Sequence, residues 1–417
     1  MLSSFDDYPV HQASVPIAHT ATADANHYDR YFFNGYSLSD DLYFGAAMGL
    51  YPNRHVADAA FCVVRRQRQT SVFRSQRAPL DRRDATSLGP IVVDVIEPLR
   101  TLRIAVDAPD QGLRADLTFQ HRSPAIEEAH FFQRTGVRTF FDYTRLTQFG
   151  AWTGWIELDG ERLDVRPDDV WGSRDRSWGV RPIGEPAPSG APVGLPQFFW
   201  LWAPVNFPSL STHFDVNEHG DGRRWHETGT VAPVGAEPQM MRTVDWRVEW
   251  RPGTRWADRF DYDLIGWDDS VTSVSLTPRY EFHMRGIGYG HPEFGHGYWK
   301  GEAVTAGERL ELPVATPLAR EHVHVQALCD ATVTLPDGST EAGIGILEQL
   351  DPTFGRTVQE PPRRSGPPRL GARVTLDADP FSQPTVDTKY RLFVKHAYLE
   401  VKDVAPGVKL RAGIIDT

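Results

Sequence analysis

Hydrophobic residues recur at every second position in this chain, and that period fixes the class of fold. Leu113, Ala115, Leu117 and Phe119 alternate with Arg114, Asp116, Thr118 and Gln120, and Val244, Trp246, Val248 and Trp250 alternate with Asp245, Arg247, Glu249 and Arg251. Val323, Val325 and Ala327 alternate with His322, His324 and Gln326, and Ala397, Leu399 and Val401 repeat the pattern. Successive strand side chains point to opposite faces, so each segment predicts a strand with one covered face and one that is wet or lines a cavity. Asp159-Gly160 lies between two such runs and has the length of a hairpin turn, and Pro336-Asp337-Gly338 marks a second turn. Val56–Gln67 fits either period and is read as a strand.

A chain of 417 residues suggests two or three domains. The clearest linker is the Pro/Gly-rich segment 182–196, which joins an N-terminal β domain over 1–185 to a C-terminal β domain over 197–417. A second loop, Asp351–Gly371, carries PPRRSGPPRLG and reads as a flap or spacer, and the chain from Ala372 onward returns to strands. Two antiparallel β domains must protect their sheet edges. Closed barrels do so, and an eight-stranded barrel leaves room for one small ligand; a sandwich is the alternative.

Charge narrows the partners. Lys and Arg total 44 against 55 Asp and Glu, a formal charge of −11, which phosphate backbones repel; no nucleic-acid partner is expected. No run approaches the roughly 18 apolar residues of a membrane span, so no membrane insertion is expected. The N-terminus lacks the pattern of a secretory signal, and only two cysteines occur, Cys62 and Cys329, both in apolar runs. They read as packing residues in a reducing, cytoplasmic compartment. The 12 Trp, 13 Tyr and 22 Phe suit sheet surfaces and apolar pockets, which makes an apolar small molecule the expected partner. A homodimer is left open.

Four stretches carry residue types suited to chemistry. In WGSRDRSWGVRP (Trp171–Pro182), Arg174, Arg176 and Arg181 surround Asp175 and Trp178. On a strand Arg174 and Arg176 face one way and Asp175 the other. An aspartate among arginines is held ionised, whereas one facing an apolar cavity is pushed toward its neutral, proton-donating form; the sequence alone leaves both readings open. GIGYGHPEFGHGYWKGE (Gly286–Glu302) combines glycines that suit unusual backbone or close packing with Tyr289, His291, Glu293, His296, Tyr298 and Trp299. The His291–His296 spacing matches no standard zinc pattern, and no metal is expected. QFFWLWAPVN (Gln197–Asn206) supplies Phe199, Trp200 and Trp202 as core or pocket wall. His213 and Asp215 share a strand face and suit either an acid/base pair or a solvated surface. SPAIEEAH (Ser123–His130) reads as a loop or edge.

YDRYFFNGY (Tyr28–Tyr36), GLYPNRHVADAAFCVVR (Gly49–Arg65), DYTRLTQFGAWTGWIELDG (Asp142–Gly160), GSRDRSWGVRP (Gly172–Pro182) and GYGHPEFGHGYWKGE (Gly288–Glu302) together resemble a bacterial two-domain family. It is similar to the AttH and carotenoid 1,2-hydratase superfamily. The resemblance spans roughly residues 28 to 350, and RDRSWG is its most specific motif. It implies a mainly β fold of two lipocalin-like antiparallel β-barrel domains packed together, with an apolar isoprenoid, steroid or polycyclic ligand. It also implies hydration or cyclisation chemistry with no metal or organic cofactor. The position of Asp175 falls in a motif with a proposed acid, although Ser173 stands where that motif carries an aromatic residue.

The expected function is that of a cofactor-independent hydratase, dehydratase, isomerase or cyclase acting on an apolar substrate. Asp175 is the candidate acid, and His291 or His296 would hold or shuttle the proton. Trp178, Tyr289, Trp299, Trp200, Trp202 and Phe199 are candidates to line the cavity, with Arg174, Arg176 and Arg181 as a structural network. A lipocalin-like carrier without chemistry, or a purely structural role, are the alternatives.

Overall fold

The alternating segments form strands in the computed structural model, which describes residues 4–79, 81–184, 199–219, 222–350, 370–377, 393–405 and 408–414. The chain divides into two units, 1–356 and 357–417. The first unit holds two large, curled antiparallel sheets, the half-barrels of two lipocalin-like domains. The main path of the first sheet runs Ala303–Glu311, Arg68–Arg77, Val56–Arg65, Tyr43–Tyr51, His27–Ser37, Val170–Val180, Arg138–Leu158, Leu113–His121, Thr101–Ala108 and Ile91–Glu97. Val56–Arg65 is thus a strand, and Asp159-Gly160 turns the chain between Arg138–Leu158 and Glu161–Val165.

The second sheet runs Arg224–Pro233, Leu210–Glu218, Phe199–Asn206, Thr340–Leu350, His324–Thr334, Val271–His283, Ala257–Ile265 and Thr243–Trp250. Its ends curl together: Thr243 Oγ1 donates to Glu227 Oε1 at 2.9 Å, although their strands stand at opposite ends of that order. Ala303–Glu311 departs from the division read from the sequence, because it pairs with Arg68–Arg77 of the first sheet. The linker, from residue 185 to 196, and the loop up to residue 369 lie outside the described residues. Within 357–417, Leu370–Asp377, Phe393–Ala405 and Val408–Ile414 form a three-stranded antiparallel sheet of their own.

Both curls are filled by side chains. In the first, Trp152 meets the rings of Phe44, Phe119 and Phe33 at 5.1, 5.2 and 6.0 Å; in the second, Phe214 packs on Tyr262 and Phe260 at 4.8 and 5.4 Å. All seven are fully buried. The ligand space expected inside each barrel is therefore occupied by protein at these positions.

A third core lies between the sheets, where Phe32, Tyr43 and Phe73 of the first meet Trp202, Phe282 and Ile346 of the second. This changes the meaning of the alternation. His324, Val325, Gln326 and Ala327 are all buried, as is every residue of Tyr43–Tyr51. The polar positions of those strands face the other sheet and not water, so the predicted wet face is a second covered one. Among the described residues, no helix is long and apolar enough to cross a membrane. Cys62 and Cys329 are free and buried, and burial pushes both thiols up.

Candidate active site

Side chains of directly paired residues on antiparallel strands share a face. In the first sheet, one such row is Phe73, Ala60, Ala47, Phe32, Asp175 and Thr147. In the second, Phe282, Gln326, Glu348, Trp202, Asp215 and Thr228 form another. The rows face each other: the edge of Trp202 meets Phe32 at 6.1 Å, and Tyr43 packs on Phe282 at 4.7 Å. Asp175 therefore points into the space between the sheets.

The Asp175 carboxyl makes no hydrogen bond and no ion pair among the described residues. Arg174 and Arg176 flank it in sequence but face the other way, as the strand period requires. Arg174 Nε donates to Gln148 Oε1 at 2.9 Å, and Arg176 pairs with Asp29 while lying over Tyr31 at 4.2 Å. The reading in which those arginines lock Asp175 fails for that reason. Burial pushes the Asp175 carboxyl up to about 6; Arg145 and Arg181 pull it down, and Glu128 and Glu348 push it further up. Yet Asp175 keeps accessible surface, as do Tyr143, Arg181 and Tyr289, and Glu348 and His324 each retain 11% of their side-chain exposure. These groups outline a crevice within the protein.

Its far wall is held by ionic hydrogen bonds. Glu348 accepts from His324 at 2.8 Å, Trp200 Nε1 at 3.1 Å and Gln326 Nε2 at 2.5 Å. Burial works against its charge, but these donors hold it below the usual carboxylate range. Arg145 lies over Trp200 and Phe131 at 4.6 and 4.8 Å, donates from Nε to Glu128 Oε1 at 2.8 Å, and from Nη2 to Asp215 Oδ2 at 3.1 Å. Thr147 Oγ1 also donates to Glu128, at 2.6 Å. His213 stands 3.3 Å from Asp215 and 3.7 Å from Glu128. Burial alone would pull this imidazole down, but the two carboxylates push it up to about 9.

Glu128, His213 and Asp215 bring three ligand-type atoms within 4.8 Å of one another, a geometry that a metal ion could use. Arg145 already lies against both carboxylates, and with His213 protonated the cluster is charge-balanced without an ion. His213 and Asp215 are 0% exposed, so their strand face is not solvated. Glu128, read from sequence as part of a loop or edge, is buried just beyond the two-residue strand Ile126–Glu127.

The glycine-rich stretch closes one end of the crevice. Gly288 and Gly297 have φ of +95° and +74°, values that favour glycine, and let the loop turn back on itself. Tyr289 then meets the edges of His296 at 4.2 Å and His324 at 4.8 Å. His296 bonds the Ile287 carbonyl through Nε2 at 3.0 Å; burial, with Arg30 and Arg181 nearby, holds it well below its ordinary value. His291 instead caps its own turn, with Nδ1 accepting from the amides of Phe294 and Glu293 at 2.8 and 3.0 Å. Its ring packs on Phe73.

Of the residues singled out in the sequence, the structure brings together Asp175, Trp200, Trp202, Tyr289, Arg181 and His296. Trp178 and Trp299 are 41% and 47% exposed, with Trp299 under Arg77, and Phe199 faces the filled core of the second curl. Arg145, Glu348, Glu128 and Arg30 were missed. Arg30 and Glu348 are each a charge inside an aromatic or apolar run (YDRYFF, GILEQL), which is the signal that could have found them.

The fold is shared with solved structures of low sequence identity. Kievitone hydratase from Nectria haematococca is 11% identical, aligned over 78% of this chain and 89% of its own, with a TM-score of 0.50. An AttH-like protein of Nitrosomonas europaea is 15% identical over 82% and 98%, also with a TM-score of 0.50. No curated protein matches the sequence. A family model matches residues 2–359, and the chain belongs to that family, a family of unknown function (DUF8625).

Proposed function

We propose that this chain is a cofactor-independent acid/base enzyme of the hydratase, dehydratase, isomerase or cyclase type, acting on an apolar isoprenoid, steroid or polycyclic substrate. The observation that carries the reading is Asp175: a carboxyl facing the inter-sheet space, without a hydrogen-bond partner, pushed up to about 6 by burial. At neutral pH about a tenth of such a group is protonated, enough to serve as a general acid. The fold shared with a hydratase supports the choice of class.

In the hydration direction, Asp175 gives its proton to one alkene carbon and the other becomes cationic. An aromatic face bordering the inter-sheet space stabilises that charge. Water adds to the cation, and its surplus proton returns to the Asp175 carboxylate, so the acid is regenerated. Reversal gives dehydration, loss of a different proton gives isomerisation, and capture by a second double bond of the substrate gives cyclisation.

The test begins with native mass spectrometry of the purified protein to identify a bound ligand. Turnover of that ligand is then compared between wild type and Asp175→Asn. The proposal expects a loss of at least about 100-fold with binding retained. A carrier would bind the ligand in both forms and convert it in neither.

A further inference from the structure

Two arginines at the Tyr289 end of the crevice have donors with nothing to bond. Arg30 is 1% exposed, and its guanidinium makes one hydrogen bond, from Nη2 to the Ile287 carbonyl at 3.3 Å; its Nε and Nη1 are buried without a partner. Arg181 Nε and Nη2 are likewise buried and unpartnered, and the residue keeps accessible surface. Both guanidiniums lie against one ring, at 4.8 Å (Arg30) and 5.6 Å (Arg181) from the centre of Tyr289, and Arg181 also covers Tyr28 at 4.6 Å. Among the described residues, neither forms a salt bridge. The buried carboxyl of Asp58 is near enough for Arg30 and Arg181 to pull it down, but its hydrogen bonds come from Tyr51 Oη at 3.1 Å and the Gly297 amide at 2.7 Å and not from either guanidinium.

Two buried positive charges with four unpartnered donor nitrogens are costly to hold, and an anion bound at them would meet both the charge and the donors. A guanidinium presents paired N–H groups that fit the two oxygens of a carboxylate. We propose that Arg30 and Arg181 form a headgroup pocket for a carboxylate, so that the substrate of this site is an apolar acid. This deepens the reading of Asp175 as the acid and rests on it for the word substrate. The acid's body would extend from this end toward Asp175.

The test uses the full-length protein and a fluorescent polycyclic probe, 1-pyrenebutyric acid, beside its methyl ester and 1-pyrenylmethyl phosphate. Wild type is expected to bind the acid at least tenfold more tightly than the ester. Arg181→Met and Arg30→Met should erase that preference while leaving ester affinity within twofold, and Arg181→Lys should restore part of it. Melting curves establish which variants fold; should Arg30→Met unfold, Arg181→Met carries the test alone. Equal affinity of wild type for acid and ester would overturn the proposal. So would a preference that survives in Arg181→Met, or tighter binding of the phosphate than of the acid. Asp175→Asn should bind the acid at least as tightly as wild type, so a failed headgroup pocket and a failed catalytic acid give different results.

Discussion

Phe32 and Asp175 are paired across neighbouring antiparallel strands, and both side chains point at the second sheet, where Phe32 meets the edge of Trp202 at 6.1 Å. A carboxyl is thereby placed in an aromatic wall between two filled half-barrels. Its two flanking arginines are turned to the opposite face of the strand, so its charge is left unpaired.

An unpaired buried carboxylate weakens the folded state. The unfolded chain releases the Asp175 proton near 3.8 and the folded chain near 6, so ionisation above pH 6 costs up to about 3 kcal/mol, less whatever solvent in the crevice recovers. Asp175→Asn should therefore leave stability at pH 8 unchanged or raise it. Urea unfolding of the two proteins at that pH measures the difference.

Arg145 plays the opposite part. It bonds Glu128 and Asp215, both buried, and covers two aromatic rings. Arg145→Met would take a hydrogen-bonded cation from two buried carboxylates and should cost about 3–5 kcal/mol. It also removes a charge that pulls Asp175 down, so the Asp175 carboxyl should titrate at a higher pH in any folded fraction. Denaturant unfolding reads the first effect.

His213 makes stability depend on alkaline pH. Its folded value of about 9 lies above the unfolded 6.5, so the folded state holds the extra proton between them. The stabilisation is complete below pH 6.5 and is lost as pH rises through about 9, on the order of 3 kcal/mol. Wild type should lose that increment between pH 6.5 and 9.5, and His213→Gln should start lower and change less. Urea midpoints across that range decide it.

Trp202 joins the sheets. It is 1% exposed, and its ring meets Phe32, His213 and the Arg145 guanidinium. Trp202→Ala should cost about 3–5 kcal/mol. The same substitution at exposed Trp178 should cost less than about 1 kcal/mol. Thermal melts of the pair provide the comparison.

The strands, the Asp159-Gly160 hairpin and the opposed facing of Arg174 and Asp175 were legible because each follows from a local period of two. What lay beyond reach was set by packing between sheets. Alternation at His324–Ala327 marks two faces, the second wet or lining a cavity, but does not say that another sheet covers it. Trp178 and Asp175 occupy one short motif, yet the first is on the surface and the second in the crevice, because their odd spacing puts them on different faces. Glu128 and Arg145 meet Asp215 only through a contact between sheets, which no spacing along the chain encodes.

The role of Asp175 as the acid requires its carboxyl to titrate near pH 6, so that a fraction of it still holds a proton at neutral pH. The direct measurement is a carboxyl-carbon NMR titration of protein labelled at aspartate, with Asp175→Asn identifying the resonance. A midpoint of about 6 is expected for Asp175. A midpoint at or below 4 would show the carboxylate to be ionised throughout the neutral range, and would contradict its proposed role as the acid.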